Sequence, residues 1–552
     1  MRIHALKSKH RLNADTLLKS SEAYRTEIMN YVQYLEDTQD NALASLYFHM
    51  NTVWQLAEIT CLLPQTISTD DGQTQHASTT VVMALVQWLN TVYPDRSLES
   101  EFRQVMSAID VLHHASFWTL LERLLVHGLI GHALQLLEKA LHGTSDSLER
   151  RWLMEARTWM QRLQEQWHNP QVSRSTLDAL RMEMESKYMD MFDAGHQAAG
   201  VFGILMGDQD VITSKAQRWQ EHVISGLMYY NAALPMHQWQ RWLPSEQVVQ
   251  EATVFEQMQW SLFHQDVYHV VSLAASVDAW FNAHLIDIVM FGQQSPVMIN
   301  SSSSKTSKDD TASLHVFTIR NYGHMLAGTL NLLPLAVDVF CTLPQGSQIA
   351  RAYIARVPLR NMQEWKKWIS LCKRFGFDEE RRLLCRRMAE LKQERGQLAS
   401  ALRCLVMAGD EIRLQSLIEK ERATLMKMDA KLWMDEFSQP ETSDMLQEHP
   451  SMVFLQSLCV YRKLVVDKEW ENAADVLVEL LTANQTSTEY VCALLLDAVD
   501  LMQRSPPVFD REGILEVMRC LENVWEKSDM KMYAKEVQSL RRACALNLTR
   551  VE

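Results

Sequence analysis

The sequence predicts an all-α protein, built as an irregular stack of helices of the α-solenoid type. Only 17 glycines and 13 prolines occur in 552 residues, about 5% of the chain against roughly 12% in an average globular protein. Both residues mark turns and strand ends, so their scarcity favours long helices over sheets and over loop-built active sites. The length also exceeds what one compact core usually supports. We therefore expect a helical scaffold and not an enzyme.

The charge balance and the cysteine spacing narrow the class of protein further. The chain carries 54 basic and 68 acidic side chains and a formal charge of -14, which argues against an extended phosphate-binding surface. A local basic patch stays open at Trp365–Trp368 (WKKW) and at the arginines of 381–387, although a solvated helix face is the simpler interpretation. The nine cysteines include no CxxC pair, which is typical of reduced thiols in a nuclear or cytosolic protein.

Patterns that would hold a metal, a nucleotide or a membrane are missing from the sequence. His127 and His132 are five residues apart, whereas the HExxH zinc pattern needs four, and the glycines of 195–207 lack the GK[ST] ending of a phosphate loop. The apolar stretches 269–292 and 324–344 both contain aspartates, so buried helices explain them better than membrane spans. The N-terminus lacks the apolar core of a secretory signal. We predict no cofactor, no metal, no direct nucleic acid contact and no transmembrane segment.

The elements are expected in the following order along the chain. Residues 1–20 form a short N-terminal segment before the first convincing helix, Glu22–Leu35. Residues 21–437 form the main helical stack, with polar, helix-poor loops near 64–79 and 292–311; the SSSSKTSKDD core of the second loop is typical of disorder. A break at 438–450 then separates a C-terminal helical tail, 450–552.

Three helical hairpins support the solenoid prediction. In each, an apolar helix ends at a tight turn, at Gly128, at Gly396 or near Asp467, and a second helix opens with alanine. The apolar residues follow the i, i+3, i+4, i+7 spacing that places them on one helix face. Small alanines permit close antiparallel approach, and each pair needs neighbouring pairs to cover its remaining apolar face. The spacing between hairpins is irregular, so tetratricopeptide and HEAT repeats fit poorly.

Six phrases of the sequence, taken in order, resemble one family. They are MNTVWQLAEI at Met50–Ile59, AHLIDIV at Ala283–Val289, IRNYGHMLAGTLNLLPLAVDVFCTLP at Ile319–Pro344, ARVPL at Ala355–Leu359, GQLASALRCLVMAGD at Gly396–Asp410 and PVFDREGILEVMRCLENV at Pro507–Val524. Each phrase is weak alone, but the ordered set is similar to the nucleoporin eighty-five family, the arm component of the Y-shaped outer-ring complex of the nuclear pore. The resemblance runs from about Ser21 to Arg550.

The resemblance implies a fold and a function. The fold is an ancestral coatomer element, a folded-back helical solenoid that runs out, reverses through a crown and returns along a trunk to a tail. The function is that of a structural scaffold of the Y complex at the nuclear envelope, needed for pore assembly and thereby for mRNA export and protein import. Kinetochore association in mitosis is plausible in animal-like cells. A vesicle-coat or tethering solenoid has the same fold and is the alternative.

The resemblance also implies partners. Members of the family bind a Seh-one type β-propeller and complete it with an N-terminal blade of strands; residues 1–20 are too short for such a blade, and RIHAL supplies one strand at most, a remnant of it. The tail is expected to dock at the hub, beside the other scaffold nucleoporins of the Y complex. We predict the tail interface at Phe509, Leu515, Met518 and Leu521, with internal packing of the last hairpins as the open alternative.

Overall fold

Every regular element of the described structure is a helix, as the sequence predicts. The structure is a computed structural model that describes residues 14–63, 74–144, 147–168, 182–185, 197–231, 236–293, 308–420, 450–483, 488–527 and 534–551. The chain divides into two compact units, Met1–Ser347 and Gln348–Glu552. The predicted start of the tail at residue 450 lies inside the second unit, and the predicted division into stack and tail stays a prediction.

The first unit is a succession of short and medium helices joined by tight turns. A π-helical turn at Glu58–Leu62 and 3-10 turns at Met236–Trp242 and Leu330–Leu332 interrupt the α-helices. These α-helices are α1 (Ala14–Asp37), α2 (Asn41–Ala57), α3 (Thr74–Val92), α4 (Arg96–Ser107), α5 (Phe117–Val126), α6 (Ile130–Gly143), α7 (Ser147–His168), α8 (Ala199–Met206), α9 (Gln209–Lys215), α10 (Trp219–Asn231), α11 (Glu246–Gln250), α12 (Val254–His264), α13 (Val267–Val277), α14 (Ala279–Gln293), α15 (Lys308–Ala327) and α16 (Leu333–Phe340).

The second unit continues the same architecture after a helix that begins at the boundary. Its helices are α17 (Gly346–Ile354), α18 (Met362–Phe375), α19 (Asp378–Glu394), α20 (Leu398–Ala408), α21 (Glu411–Lys420), α22 (Pro450–Asp467), α23 (Trp470–Thr482), α24 (Thr488–Met502), α25 (Arg511–Lys527) and α26 (Ala534–Val551).

Side-chain caps fix where several of these helices begin. The carboxylate of Asp95 accepts hydrogen bonds from two backbone N–H groups at the start of α4, and that of Asp208 does the same for α9. Thr253 and Glu256 form a capping box at α12, in which each side chain bonds to the other residue's backbone. These contacts satisfy N–H groups that have no partner inside the helix. Short polar turns are therefore sufficient to stop one helix and start the next.

The three predicted hairpins are confirmed. Helix α5 packs against α6, α19 against α20, and α22 against α23. The turns carry positive backbone φ angles at Gly128 (68°), Gly396 (70°) and Lys468 (65°), the last being one residue beyond the predicted turn. Ala133 and Ala473, which open the second helices of the first and third hairpins, are fully buried. The small side chains thus lie in the helix contacts that the sequence assigned to them.

Helix starts differ from the predictions in a consistent direction. Helix α1 begins at Ala14 and not at Glu22, α3 begins at Thr74 inside the predicted loop 64–79, and α15 begins at Lys308 inside the predicted loop 292–311. Extending a helix costs little once its later turns are packed, and Leu17, only 1% exposed, anchors the early turns of α1. The RIHAL segment and the break at 438–450, up to the Pro450 that opens α22, lie outside the described residues.

The two apolar stretches are divided between separate helices. The first crosses the junction of α13 and α14, where the Asp278 carboxylate accepts the backbone N–H of Phe281 at 2.8 Å. The second runs from α15 through the 3-10 turn into α16. Across the described ranges, no helix is both long and apolar enough to cross a membrane.

Three of the phrases that carry the family resemblance meet in one aromatic core. Trp54 of the first phrase stacks on Trp280 at 5.6 Å, just before the second phrase, and its ring lies 6.5 Å from that of His284 within it. Tyr322 of the third phrase lies edge-on to His284 at 5.8 Å. Residues of these three phrases therefore build the interior where α1, α2, α14 and α15 come together.

Candidate partner interfaces

Helix α25, which carries most of the predicted tail interface, is held by its inner face. The Asp510 carboxylate accepts the backbone N–H of Gly513 at 2.7 Å and thereby starts the helix. Ile514, Val517 and Leu521 follow at helical spacing and are fully buried. Helices α23 and α26 supply the packing. This inner face fixes the rotation of α25 and decides which residues point outward.

The structure separates the four predicted interface residues into two pairs. Phe509 and Leu521 are buried, 5% and 0% exposed, and pack inside the last helices. Leu515 is 50% exposed and Met518, one turn later, is partly exposed. The structure thus brings Leu515 and Met518 together on the outer face of α25, and only this pair is available to a partner.

Charged side chains surround the outer pair. Glu516 and Arg519 form an ion pair on α25. Arg541 of α26 donates two hydrogen bonds to the Glu522 carboxylate, at 3.1 and 2.9 Å. An apolar centre within a polar rim is the usual composition of a protein interface. Leu515 and Met518 therefore have the setting of a small docking surface.

A cleft opens among the C-terminal helices, where the turn between α22 and α23 faces the connection between α24 and α25. It has a volume of about 490 Å³ and is lined by residues 468–472 and 504–508. The Arg504 guanidinium lies 3.4 Å above the Trp470 ring, a cation–π contact that holds the two walls together. Sequence reasoning missed this cleft because its walls are more than thirty residues apart in the chain.

A second surface, the tyrosine surface, lies on the α1–α2 hairpin and was also missed. Tyr34 is 60% exposed and Tyr31 42% exposed, and the two rings stack at 6.1 Å. Tyr47 of α2 meets Tyr31 edge-on at 5.0 Å, and Met29 and Leu43 are exposed nearby on the same two helices. Tyrosine is enriched at binding hot spots because it offers a large rigid face and a polar tip. The sequence signal for this surface was the presence of tyrosines at positions of α1 that fall outside the helical spacing of its buried residues.

Burial shifts the pKa values of interior thiols and of a buried histidine in the direction that favours their neutral forms. Burial raises the pKa of the Cys61 thiol to about 11 and that of Cys385 to about 12, so both thiols are protonated at neutral pH. Burial lowers the pKa of His127, and the Glu221 carboxylate at 3.8 Å opposes that effect. Within the described part of the chain, no group of three or more His, Cys, Asp or Glu side chains is arranged to hold a metal ion.

Comparison with known sequences decides the family. The model of the family described as Nup85 Nucleoporin matches residues 3–523. The chain belongs to this family. The Nup85 match covers nearly all of the first compact unit and the second up to residue 523. It includes the phrases that meet in the aromatic core, so the family resemblance and the structure concern the same residues. Membership in the Nup85 family makes the chain a nucleoporin.

Several relatives of the Nup85 family are similar over much of the chain. The nuclear pore complex protein Nup85 of Danio rerio is 22% identical over 569 residues, 96% of this chain and 83% of the relative. The Homo sapiens Nup85 is 21% identical over 496 residues, 82% of this chain and 72% of the relative. The Xenopus laevis Nup85 is 22% identical over 382 residues and 65% of this chain. The chain spans 57% of the length of that relative and 53% of the Xenopus tropicalis one.

Proposed function

We propose that this chain is a structural scaffold nucleoporin of the Y complex, located at the nuclear pore in the nuclear envelope. Its role is to support pore assembly, and thereby mRNA export and protein import, without a catalytic step. The observation that carries the proposal is the Nup85 family match over residues 3–523. The all-helical described structure supports it, because stacked helices supply a long surface for several partners.

The mechanism is multivalent binding. The first unit engages a Seh-one type β-propeller, and the C-terminal helices engage the other scaffold nucleoporins at the hub. Once one partner is bound, the second binding event becomes intramolecular and its effective concentration rises by orders of magnitude. Assembly then depends on a single chain that carries both surfaces.

The tyrosine surface is the proposed propeller contact. It lies in the N-terminal part of the chain, and its rings of Tyr31, Tyr34 and Tyr47 contact one another. Aromatic rings held by neighbouring rings lose little conformational entropy on binding, which makes them effective anchors. This contact does not depend on whether residues 1–20 supply a strand to the propeller.

The outer face of α25 is the proposed hub contact. Leu515 and Met518 supply its apolar centre, and the neighbouring ion pairs of Arg519 and Arg541 supply its rim. Phe509 and Leu521 contribute indirectly, because their burial holds α25 in place.

Localisation tests the proposed role. A fluorescent tag on the full chain is expected to give a punctate nuclear rim in interphase cells. Puncta at endoplasmic-reticulum exit sites or at the Golgi, with no nuclear rim, would contradict it and favour the vesicle-coat alternative.

Two surface variants test the partner assignment against each other. Tyr31→Ala with Tyr34→Ala is expected to reduce co-purification of the propeller at least about tenfold and to leave the hub partners bound. Leu515→Ala with Met518→Ala should do the reverse. Each variant is the control for the other, and deletion of 450–552 is expected to match the second. If either variant lost both partners while keeping the wild-type helical signal, the assignment of separate surfaces would be wrong.

A further inference from the structure

The arginines of the second unit differ in what holds their side chains. In α19, Arg381 pairs with Asp378 at 3.2 Å. Arg386 of the same helix pairs with Asp410 at 2.9 Å. These carboxylates neutralise the two α19 arginines and leave little of their charge for a partner. Arg504, in the connection between α24 and α25, is exposed and lies against an aromatic ring instead of a carboxylate.

The Trp470 ring holds the Arg504 side chain in one orientation. The guanidinium carbon lies 3.4 Å from the centre of the ring, so the two planes are stacked, because an edge-on guanidinium would drive a nitrogen into the ring. Stacking uses the face of the guanidinium and leaves the N–H groups at its edge. In the part of the chain that the structure describes, those N–H groups make no hydrogen bond or ion pair. Arg504 therefore presents an oriented fork of donors.

Arg504 lines the cleft of about 490 Å³ that is bounded by residues 468–472 and 504–508, and we name this cleft the arginine cleft. Volumes of about 300–1,000 Å³ are typical of sites that enclose a ligand group. Lys468 supplies a second exposed cation, which forms no ion pair with the described residues. Pro506, Pro507 and Val508 supply an apolar wall. The arginine cleft therefore combines directed positive charge with apolar surface.

The wall that follows Arg504 has unused backbone groups. The N–H and C=O groups of residues 505–508 take part in no hydrogen bond across the described ranges of the chain. Pro506 and Pro507 have no N–H to donate, so the donors of this wall are those of Ser505 and Val508. Unpaired backbone groups beside a pocket for a side chain are a recurring arrangement for binding an extended peptide. The arginine cleft thus offers contacts for the main chain of a ligand as well as for its side chains.

The charges of the arginine cleft favour a ligand group with a single negative charge. Glu469 and Glu471 also line the cleft, and neither forms an ion pair with Lys468 or Arg504. The Glu469 carboxylate accepts a hydrogen bond from the Asn472 amide at 2.9 Å. A carboxylate carries one charge, whereas a phosphate group carries about −1.5 to −2 at neutral pH. The two glutamates therefore repel a phosphate more strongly, and a planar carboxylate matches the planar guanidinium fork.

We propose that the arginine cleft binds a short segment of a partner protein in which an aspartate or glutamate lies next to an apolar residue. The carboxylate of that residue accepts paired hydrogen bonds from the Arg504 fork, and the apolar side chain packs on Pro506, Pro507 and Val508. Lys468 adds attraction at longer range. The cleft shares no lining residue with the tyrosine surface or with the outer pair of α25, so this contact is independent of the proposed propeller and hub contacts.

The test is a binding measurement by fluorescence anisotropy with the purified 552-residue chain and the fluorescein-labelled peptide SGLDLGS, which carries one aspartate between two leucines. Arg504→Gln removes the charge and the fork, whereas Arg504→Lys keeps the charge and removes the fork. The matched control is Arg382→Gln, at an exposed arginine outside the lining of the cleft. Circular dichroism of each variant checks that the helices are retained.

The wild-type chain is expected to bind SGLDLGS saturably, and the control variant to bind it within about twofold of wild type. Both Arg504 variants should bind at least about tenfold more weakly, because each loses the paired hydrogen bonds to the carboxylate. Absence of saturable binding at millimolar peptide, or wild-type affinity in Arg504→Lys, would overturn the proposal.

A second position keeps the test decisive if the Arg504 variants lose helix. Lys468 has a backbone φ of 65°, which asparagine tolerates well, so Lys468→Asn removes the charge without new strain. This variant is expected to bind SGLDLGS about two- to fivefold more weakly, because it loses an exposed charge contact. An unchanged affinity would then overturn the assignment of the ligand to the arginine cleft.

Two further peptides test the chemistry of the ligand. SGLNLGS replaces the carboxylate with a neutral amide of the same shape and should bind at least about tenfold more weakly. A peptide with phosphoserine in place of the aspartate should also bind more weakly than SGLDLGS. Equal binding of SGLNLGS, or tighter Arg504-dependent binding of the phosphopeptide, would overturn the choice of a carboxylate. None of these outcomes bears on localisation at the nuclear rim, so the arginine cleft and the proposed scaffold role hold or fail separately.

Discussion

At the scale of single residues, Trp54 and Glu58 are two buried side chains of the first unit with different chemistry. Trp54 is fully buried, and its indole N–H donates to the Ser21 hydroxyl at 2.7 Å. Glu58 is 4% exposed, with its carboxylate 2.7 Å from the Arg25 guanidinium. The first residue contributes apolar contact, whereas the second places a charged group where water is excluded. Substitution of Trp54 is therefore expected to lower the free energy of unfolding, whereas substitution of Glu58 is expected to remove a loss of stability that occurs as pH rises.

Replacing Trp54 with alanine is expected to lower the free energy of unfolding by about 3–5 kcal/mol. The change leaves a cavity beside Trp280 and removes the hydrogen-bond donor of the buried Ser21 hydroxyl. Urea denaturation followed by circular dichroism measures it. The control Tyr34→Ala, at a position 60% exposed, should change the free energy by less than about 0.5 kcal/mol. Equal losses in the two variants would contradict the assignment of Trp54 to the core.

Glu58 is expected to make stability fall as pH rises. Burial raises the pKa of Glu58 from 4.5 to about 7, although the Arg25 charge opposes that shift. Between those values the folded protein keeps a proton that the unfolded chain has released, so the free energy of unfolding falls by up to about 1.4 kcal/mol per pH unit. Above about pH 7 this contribution is fully lost.

Glu58→Gln cannot titrate and should lack this fall. The measurement is urea denaturation of both proteins at a series of pH values from about 4.5 to about 8. The stability of the variant relative to wild type is expected to rise across the series and then to level off. Parallel curves would mean that Glu58 has the same pKa in the folded and the unfolded protein.

At the scale of elements, tight turns define the helical hairpins, and two glycines show what each turn requires. Gly128 and Gly396 both have positive φ, 68° and 70°, where any other residue is strained. A Cβ atom on Gly128 would lie 2.7 Å from Val86 Cγ1 and 3.2 Å from Met228 Sδ, whereas one on Gly396 meets nothing within 4 Å. The first turn therefore needs glycine for conformation and for space, and the second for conformation alone.

Alanine at these positions should separate the two requirements. Gly396→Ala is expected to cost about 1–2 kcal/mol of unfolding free energy from backbone strain, and Gly128→Ala to cost about 1–3 kcal/mol more from overpacking. The control is Gly131→Ala in helix α6, where the Cβ meets nothing within 4 Å and φ is not positive. That change should stabilise by up to about 1 kcal/mol. Chemical denaturation gives all three values, and an equal cost at Gly128 and Gly396 would refute the packing argument.

At the scale of the whole molecule, the chain forms two compact units, Met1–Ser347 and Gln348–Glu552. Each has its own buried core: Trp54, Trp88 and Phe281 lie in the first, and Leu384, Leu477 and Leu521 in the second. Units with separate cores unfold as separate cooperative blocks when few contacts join them. The proposed propeller contact lies in the first unit and the proposed hub contact in the second.

Calorimetry of the full chain is therefore expected to show two thermal transitions. Trp54→Ala should shift one transition and Gly396→Ala the other, each by several degrees, because about 1 kcal/mol moves the midpoint of a domain of 150–250 residues by roughly 2–4 °C. One transition that both variants shift together would mean that the chain unfolds as a single block.

The sequence by itself determined the helical class, the family and the positions of the main turns. Scarce glycine and proline, periodic apolar residues and ordered phrases are local signals, and helices are formed by local hydrogen bonds. Gly128 and Gly396 were found in this way, with their following alanines. Helix starts such as Ala14 and Thr74 were missed because polar first turns resemble loops until the rest of the helix is packed.

Only the tertiary structure decided which residues of each helix face outward. Periodicity placed Leu515, Met518 and Leu521 in one amphipathic pattern with Phe509 just before it, but packing against α23 and α26 buried Phe509 and Leu521 and left the other two on the surface. The same dependence on neighbours separates the paired arginines of α19 from the exposed lysines of α18. Burial is a relation between segments distant in the chain, and a single sequence states the residues of each segment without stating what packs against them.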